Sequence, residues 1–294
     1  MSRHHPVRAA FWMLGTVAGL SAMTVAGREV SAGLDTFEIM TYRSVIGIAI
    51  MAGAATLLGR WGEVRTQRFS LHLIRNISHF AGQNLWFFAL TLLPLAQVVA
   101  LEFSTPIWVI LAAPLLVGER MTVARLGAGI VGFAGVLVVA RPDFGAVNIG
   151  VVAAAASAIG FAGSILATKR LTRTETVLCI LFWLTLIQAV LGLAGALLDG
   201  QIALPAATAW PWLVVIGVSG LGAHFCLTTA LSLAPATVTV PFDFLRLPLT
   251  AALGAVIYAE TLEPSIGIGA AMIFGANYVN VLVEARARRR RAVA

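Results

Sequence analysis

Ten apolar runs of about 20 residues follow one another along the chain, with only short polar connections between them. A helix needs about 20 apolar residues to cross a bilayer, and a spanning backbone must satisfy its own hydrogen bonds. The strands of a membrane barrel would be about half that long and would alternate apolar and polar residues. The sequence therefore predicts an all-α membrane protein with ten transmembrane helices. The predicted spans cover residues 9–27, 36–58, 71–92, 95–117, 123–140, 147–167, 175–198, 210–233, 236–257 and 265–283.

The low content of charged residues supports this class. Only 11% of the residues are charged, against about 25% in soluble domains, which excludes an ordinary soluble globule and a disordered chain. Cys179 and Cys226 lie inside apolar runs, without the spacing of a disulfide framework or a zinc site. We therefore expect no metal and no cofactor.

The basic residues are distributed unevenly between the connections. If the N-terminus is cytoplasmic, fifteen of the twenty lysines and arginines fall on the inner side, and only Arg28 and Arg141 on the outer side. The positive-inside rule then predicts a multi-pass protein of the inner (plasma) membrane with both termini in the cytoplasm. Arg3 and Arg8 precede the first run as in a signal peptide, but only a poor cleavage site follows, so we expect an uncleaved first span. The arginines from Arg286 onward are expected to contact anionic lipid and not nucleic acid.

The chain contains a weak internal repeat. Residues 89–94 match residues 230–235, which lie 141 positions later. At the same offset Glu102 falls on Asp243, and acidic residues are rare inside membrane spans. The offset contains five spans, an odd number, so the second copy is expected to be inverted relative to the first.

An inverted repeat indicates a secondary transporter. Two similar halves in opposite orientations give two near-equivalent states, one open to each side of the membrane. We expect residues 1–141 (spans one to five) to form the first repeat and residues 142–294 (spans six to ten and the basic tail) to form the second. The cargo would be held in a central cavity between them.

Several short segments of the first copy, in this order along the chain, have the residues expected of a known transporter family. They are residues 89–96, Pro106, residues 118–120, residues 132–137 and residues 141–142. Together with the second copy and with Arg43, they resemble the EamA-type branch of the drug/metabolite transporter superfamily. The resemblance covers nearly the whole chain and implies ten helices in two inverted five-helix halves, a central cavity and small organic metabolites as cargo. The second copy departs from the pattern at Arg246, where the first copy has Thr105, so the halves need not contact the cargo alike.

Five charged residues lie well inside the predicted spans: Arg43, Arg75, Glu102, Asp243 and Arg246. A charge at the middle of a bilayer costs about 2.5–3.5 kcal/mol, so these groups must pair or line a wet cavity. Asp243 and Arg246 are three residues apart and are expected to pair, whereas Arg43 or Arg75 is the expected partner of Glu102. All five are candidates for cargo binding or coupling, and a carboxylate among them could carry a proton. The alternative is a set of structural ion pairs that never touch cargo.

Polar residues of the third span extend this candidate site. They are His79, Gln83 and Asn84, and His224 stands 141 positions after Gln83. A polar residue at both equivalent positions predicts a shared cavity face, although an intramembrane histidine also commonly bonds between helices.

Residues next to the candidate site have other expected roles. Phe103 and Phe244 follow the acids directly and point about 100° away from them on a helix. Glu119 and Glu260 lie at span ends and are expected to cap helices or to pair there.

Small residues recur every four positions on the fifth and tenth spans, which favours close helix contact. This spacing predicts a scaffold pair, or the face of a homodimer if the protein is not a monomer. The residues are Ala124, Ala128 and Gly132 on span five, and Gly267, Ala271 and Gly275 on span ten.

The chief rival class is an intramembrane serine protease. Residues 217–220 form a GxSG string, with Ser219 as nucleophile and His79 as a conceivable base, but that chemistry requires the base within hydrogen-bond reach. Close helix packing explains the glycines of this string more simply than catalysis does. A second rival class is a membrane sensor that transports nothing, but such a protein would not need an inverted repeat. Because no nucleotide-binding loop is found, we expect secondary transport of an amino-acid-like, vitamin or nucleoside-like metabolite. Its direction and its coupling to protons are left open.

Overall fold

The computed structural model describes residues 6–105, 107–109, 111–112, 123–140, 148–198, 202–233, 243, 245–261 and 263–293. All regular structure in these ranges is helical, which confirms the all-α prediction. A short 3-10 turn, Trp61–Val64, lies between the second and third helices. The helices are α1 (Pro6–Val30), α2 (Thr36–Leu57), α3 (Phe69–Leu92), α4 (Leu95–Glu102), α5 (Val123–Ala140), α6 (Ile149–Leu171), α7 (Val177–Ala196), α8 (Trp210–Leu233), α9 (Arg246–Tyr258) and α10 (Pro264–Val293).

Five of these helices, α1, α2, α6, α7 and α8, are long and apolar enough to cross a membrane. The other predicted spans are represented by shorter or more polar helices, so the number of ten stays a prediction. Several residues singled out above lie outside the described part of the chain: Pro106, Glu119, residues 118 and 120, Arg141, Pro142, Phe244, and the side chains of Ala124, Ala128 and the arginines from Arg286 onward.

Local sequence signals set several helix ends. The backbone N–H of Glu38 donates to Asp35 at 2.8 Å, and the N–H of Asp35 donates to the Glu38 carboxylate at 2.9 Å. This reciprocal capping box begins α2. Thr176 and Asn148 accept backbone hydrogen bonds at the starts of α7 and α6. Helix α3 stops before Pro94 because a proline disfavours the helical conformation in the residue before it.

The helices pack in pairs that join the two halves of the sequence. Helix α1 packs mainly on α8, α3 on α6, α2 on α7, α4 on α9 and α5 on α10. Each helix of α1–α5 can be exchanged with the helix five places later in the chain, so that α1 is exchanged with α6 and α3 with α8. This exchange converts the α1–α8 pair into the α6–α3 pair, and it maps each of the pairs α2–α7, α4–α9 and α5–α10 onto itself. The packing therefore looks the same when the two halves are exchanged.

Two of these crossings repeat one contact at atomic detail. Where α1 crosses α8, a Cβ placed on Gly19 would lie 2.8 Å from the carbonyl oxygen of Ser219. Where α6 crosses α3, a Cβ placed on Gly160 would lie 2.7 Å from the carbonyl oxygen of Ser78. Gly160 stands 141 positions after Gly19, and Ser219 stands 141 positions after Ser78. The offset found in the sequence thus relates the two contacts, and the absence of a Cβ allows both close approaches.

Helices α5 and α10 pack closely, as predicted, and Gly132 of the predicted α5 face lies near Ala276 of α10, but α10 does not use its predicted face. Their backbones meet where a Cβ on Gly135 would lie 2.8 Å from the carbonyl oxygen of Gly269. A Cβ on Gly267 or Gly275 would have no neighbour within 4 Å, and Ala271 is exposed. The predicted stripe on α10 is therefore wrong as the pairing face, because the four-residue spacing does not distinguish between several small faces of one helix.

Candidate functional site

Helix α3 carries a buried polar face along most of its length. His72, Arg75, His79, Gln83 and Trp86 follow one another at intervals of three or four residues, and all are at most 4% exposed. Such spacing places side chains on one face of a helix. At a rise of about 1.5 Å per residue, His79 and Trp86 are about 10 Å apart along the axis. This face joins two groups of charged residues at different depths of the bundle.

The first group, which we call the acid cluster, consists of Glu102, Asp243 and Arg246. Nη2 of Arg246 lies 2.8 Å from Oε1 of Glu102, joining the start of α9 to the end of α4. The indole N–H of Trp86 donates to the other carboxylate oxygen of Glu102 at 2.9 Å. The expectation that Arg43 or Arg75 pairs with Glu102 is wrong, because helix packing places Arg246 against it instead.

Asp243 completes the acid cluster. Its Oδ2 lies 3.5 Å from the same Nη2 atom of Arg246, so the predicted pairing of these two residues is confirmed. Oδ1 of Asp243 and Nε of Arg246 have no hydrogen-bond partner in the described residues. Two carboxylates therefore share one guanidinium. One acceptor atom on Asp243 and one donor atom on Arg246 remain without a hydrogen bond to the described residues.

Phe103 also belongs to this region. Its ring lies 5.3 Å from the guanidinium carbon of Arg246, a distance that permits a cation–π contact. The expectation that Phe103 points about 100° away from the acid assumed a continuous helix. Phe103 is the C-cap of α4 and keeps a helical backbone conformation, so its ring reaches the arginine of the cluster from a neighbouring face of the helix.

The second group, which we call the cation cluster, consists of Arg43, Arg75, His79 and His224. Arg75 donates to Thr168 and to the side-chain oxygen of Asn76, both at 3.2 Å. Among the described residues, the side chain of Arg43 has one such polar contact, at 3.7 Å to the sulfur of Met40. Among the described side chains, no carboxylate pairs with either arginine.

The two imidazoles of the cation cluster lie against each other. The ring centroids of His79 and His224 are 5.0 Å apart, with the rings nearly perpendicular. Both rings are within electrostatic range of Arg43 and Arg75. Nε2 of His79 has no hydrogen-bond partner in the part of the chain that the structure describes. The cation cluster thus combines candidate site residues from α2, α3 and α8, which the sequence analysis had identified one by one.

Gln83 and Asn84 differ in their surroundings. Gln83 is buried, and its amide nitrogen lies 3.9 Å from the sulfur of Met23 on α1. Asn84 is on a neighbouring face and donates to the carbonyl of Phe80 in its own helix at 2.9 Å. Gln83 therefore faces the bundle interior, whereas the amide nitrogen of Asn84 bonds to its own helix.

A cleft beside Arg43 opens between α2, α7 and α8. Polar groups and glycines make up much of its lining, and Arg43 is its charged member. The lining residues are Arg43, Ser44, Gly47, Leu184, Thr185, Gln188, Gly217 and Leu221.

Glu260 links three segments near the other end of the bundle. It pairs with Arg28 of α1 at 2.5 Å and accepts the backbone N–H of Leu95, at the start of α4, at 2.9 Å. The ring of Tyr258 lies 5.3 Å from the Arg28 guanidinium. Both expected roles of Glu260, capping and pairing, are confirmed. Its equivalent Glu119 is outside the described residues.

The sequence analysis missed a group with metal-ligating atoms. One ligand atom each from His72, Glu175 and Cys179 lies within 4.8 Å of the others. The Cys179 thiol is 3.2 Å from the Glu175 carboxylate, and neither nitrogen of His72 has a partner in the described residues. This donor set could hold a soft or borderline cation such as Zn²⁺. His72 lies on α3, whereas Glu175 lies in the turn before α7 and Cys179 on α7, more than 100 residues later, so no local spacing signals the group.

Ser219 lacks the geometry of a nucleophile. Its hydroxyl has no hydrogen-bond partner among the described residues, so His79 is not placed as its base. Its carbonyl oxygen instead forms the α1–α8 contact at Gly19, as Ser78 does at Gly160. This supports helix packing as the reason for the GxSG string.

The chain is similar in sequence to known transporters. The model of the EamA-like transporter family matches it twice, over residues 7–141 and 148–282. The riboflavin transporter of Brucella anthropi is 34% identical, over 90% of this chain and 95% of that protein. The riboflavin transporter of Vibrio cholerae is 27% identical over 99% of each chain. The S-adenosylmethionine uptake transporter of Rickettsia felis is 26% identical, over 95% of this chain and 94% of that protein.

A solved protein structure shares the fold. It superposes with a TM-score of 0.69, covering 95% of this chain and 99% of that chain. The two sequences are 22% identical, so the likeness shows the fold alone.

Proposed function

The chain belongs to the EamA-like transporter family, and from this we propose that it moves a small polar metabolite across the inner membrane by alternating access, as a secondary-active transporter. Members of this family are membrane proteins, and the family and the similar proteins are transporters and not enzymes. The protease and sensor alternatives are accordingly set aside. A small-molecule substrate follows from the same relatives.

We propose that residues 1–141 and 142–294 form two inverted repeats of five spans each. Two family matches, one in each half, support this division. The exchange of helix pairs and the equivalent contacts of Gly19 and Gly160 support a two-fold relation between the halves. An odd number of spans in each repeat requires the inversion, and both termini are then cytoplasmic if the arginine distribution sets the orientation.

We propose the acid cluster as the central part of the transport site. The observation that carries this proposal is the position of Arg246, which contacts Glu102 of the first repeat and Asp243 of the second. A group held between two repeats can change its exposure when the repeats rock against each other. Because two carboxylates share one guanidinium, protonation of one of them provides a means of coupling transport to a proton gradient.

We propose a polar heterocyclic metabolite as cargo, with riboflavin as the first compound to test and S-adenosylmethionine as the second. The named relatives transport these compounds. The acid cluster offers Trp86 and Phe103 for ring contacts and free polar atoms for hydrogen bonds.

The test is uptake by the purified protein in sealed vesicles, with each compound supplied alone and with an imposed pH gradient in either direction. We expect saturable accumulation of at least one compound above empty vesicles, increased by a gradient of one polarity. Ser219→Ala should transport like the wild type. Uptake equal to that of empty vesicles for both compounds would contradict this choice of cargo.

A further inference from the structure

Resting on the proposed transport function, we propose that the cation cluster binds an oxyanion of the cargo, a carboxylate or a phosphate. The cargo would thus be an anionic or zwitterionic metabolite, bound with its acidic group at Arg43 and Arg75. Its heterocyclic part would lie toward the acid cluster.

The first argument is the lack of compensating charge. Arg43 is 6% exposed and Arg75 is 3% exposed. Their recorded bonds go to neutral groups, on Met40, Thr168 and Asn76. A buried charge without a counter-charge is costly, by several kcal/mol per ion. The cost of both charges would be relieved by an anion that enters from outside the chain.

The second argument is the supply of a free donor. Nε of Arg43 is buried without a hydrogen-bond partner in the described residues. The Nη2 atom of Arg43 lies 3.6 Å from the Cβ position of Gly220 on α8, and the sulfur of Met23 on α1 lies 3.1 Å from the same position. A guanidinium presents a planar fork that matches the two oxygens of a carboxylate or phosphate. The Arg43 side chain also lines the small cleft between α2, α7 and α8.

The third argument comes from the repeat. The positions 141 residues after Arg43, Arg75 and His79 are Leu184, Ile216 and Gly220. The acids, by contrast, occur in both copies, as Glu102 and Asp243. The cation cluster is therefore not required by a two-fold scaffold, and it costs burial energy that a scaffold position would avoid. A role in binding accounts for a feature that breaks the symmetry.

The fourth argument is the arrangement of opposite charges along α3. The cation cluster carries two arginines, whereas the acid cluster has one carboxylate in excess. About 10 Å separates them along the helix, between His79 and Trp86. A metabolite with an acidic group at one end and a hydrogen-bonding ring at the other spans such a distance in a fixed orientation.

The test compares riboflavin with riboflavin 5′-phosphate, two probes that differ by one phosphate. Their apparent affinities are measured on the full-length protein by ligand-dependent thermal unfolding and by competition for uptake. We expect the phosphate to bind about 10- to 100-fold more tightly, the range for a charged hydrogen-bond pair. Arg43→Gln and Arg75→Gln should abolish that preference, whereas Arg43→Lys should keep part of it. Arg60→Gln, which removes a positive charge from an exposed pair with Glu63, is the matched control and should change nothing.

Several outcomes would overturn the proposal. Equal or tighter binding of riboflavin by the wild type would do so, as would a phosphate preference that survives both glutamine variants, or no binding of either probe. Inorganic phosphate is the third probe, and stabilisation by it equal to that by riboflavin 5′-phosphate would assign the site to a resident inorganic ion instead. Transport of riboflavin without any phosphate preference would refute this inference and leave the proposed function standing. Absence of transport by the wild type would instead count against the proposed function.

Discussion

Glu102 and Arg246 lie 144 positions apart in the sequence and meet at 2.8 Å between the end of α4 and the start of α9. The contact does not follow the two-fold relation, because the residue equivalent to Arg246 in the first copy is Thr105. The hydroxyl of Thr105 donates to the carbonyl of Glu102 at 2.6 Å. One arginine thus contacts two acids that stand 141 positions apart in the sequence. The helix pairs can be exchanged between the two halves of the chain, whereas the charged groups of the acid cluster cannot.

The glycine contact at the α3–α6 crossing should be sensitive to a single methyl group. A Cβ on Gly160 would lie 2.7 Å from backbone atoms of Gly82, which cannot move like a flexible side chain. We expect Gly160→Ala to lower the free energy of unfolding by about 1–3 kcal/mol, the usual range for overpacking. Thermal unfolding of the detergent-solubilised protein measures the change.

Gly267→Ala is the matched control, because a Cβ there would meet nothing within 4 Å. It should leave the melting temperature unchanged or raise it slightly, since alanine favours a helix over glycine. Gly19→Ala should behave like Gly160→Ala. A mild effect at Gly160 together with a severe one at Gly267 would contradict the packing described for these helices.

Ser219→Ala should be silent in function. The serine contributes a backbone carbonyl to the α1–α8 contact, and its hydroxyl has no partner among the described residues. We therefore expect wild-type uptake from this variant and no labelling of the wild type by serine-directed phosphonates. Loss of transport with normal expression would show that the hydroxyl has a role that its surroundings do not suggest.

The pair Arg28–Glu260 should behave as a coupled unit. Glu260 also accepts the N–H of Leu95, so neutralising its carboxylate removes the ion pair with Arg28 and weakens the hydrogen bond at the start of α4. We expect Glu260→Gln to destabilise the fold by about 1–3 kcal/mol. In a double-mutant cycle with Arg28→Gln, the coupling energy should be about 0.5–3 kcal/mol. Strict additivity of the two changes would show that the pair contributes nothing to stability.

The indole of Trp86 should position Glu102. Its N–H donates to Oε2 at 2.9 Å, so Trp86→Phe removes one charged hydrogen bond and keeps most of the ring volume. The expected loss of transport is about 10-fold or more, from the range for hydrogen bonds to charged groups. Uptake rates at saturating and limiting substrate are the readout. Trp210→Phe, at an exposed position at the start of α8, is the control and should be neutral.

The sequence predicted those features that follow from local pattern. The apolar runs indicated the helices, and the three-residue spacing predicted the Asp243–Arg246 pair. The offset of 141 residues, found from one hexapeptide match, also relates Gly19 to Gly160 and Ser78 to Ser219. Each of these depends on periodicity or self-similarity, which a single chain displays directly.

The features missed by the sequence analysis depend on which helix faces meet. Arg246 and not Arg43 or Arg75 pairs with Glu102, because α9 and not α2 or α3 supplies the facing cation. The contact of Phe103 with Arg246 joins the end of α4 to the start of α9, which no spacing along one helix predicts. Spacing along one helix fixes which of its residues share a face, but it does not fix the partner of that face.

Transport by Glu102→Gln and Asp243→Asn tests the central claim most directly, namely that the acid cluster lies in the path of the cargo. Both variants should still be inserted and folded, since an amide keeps the shape of a carboxylate and each variant leaves Arg246 the other acid as a counter-charge. Uptake in sealed vesicles should fall at least about 10-fold in each, as expected for a lost charged contact. Any stimulation by a pH gradient should disappear with it. Glu263→Gln, at an exposed acid before α10, is the control that should transport normally. Wild-type rates in both cluster variants would show that these acids only hold the helices together.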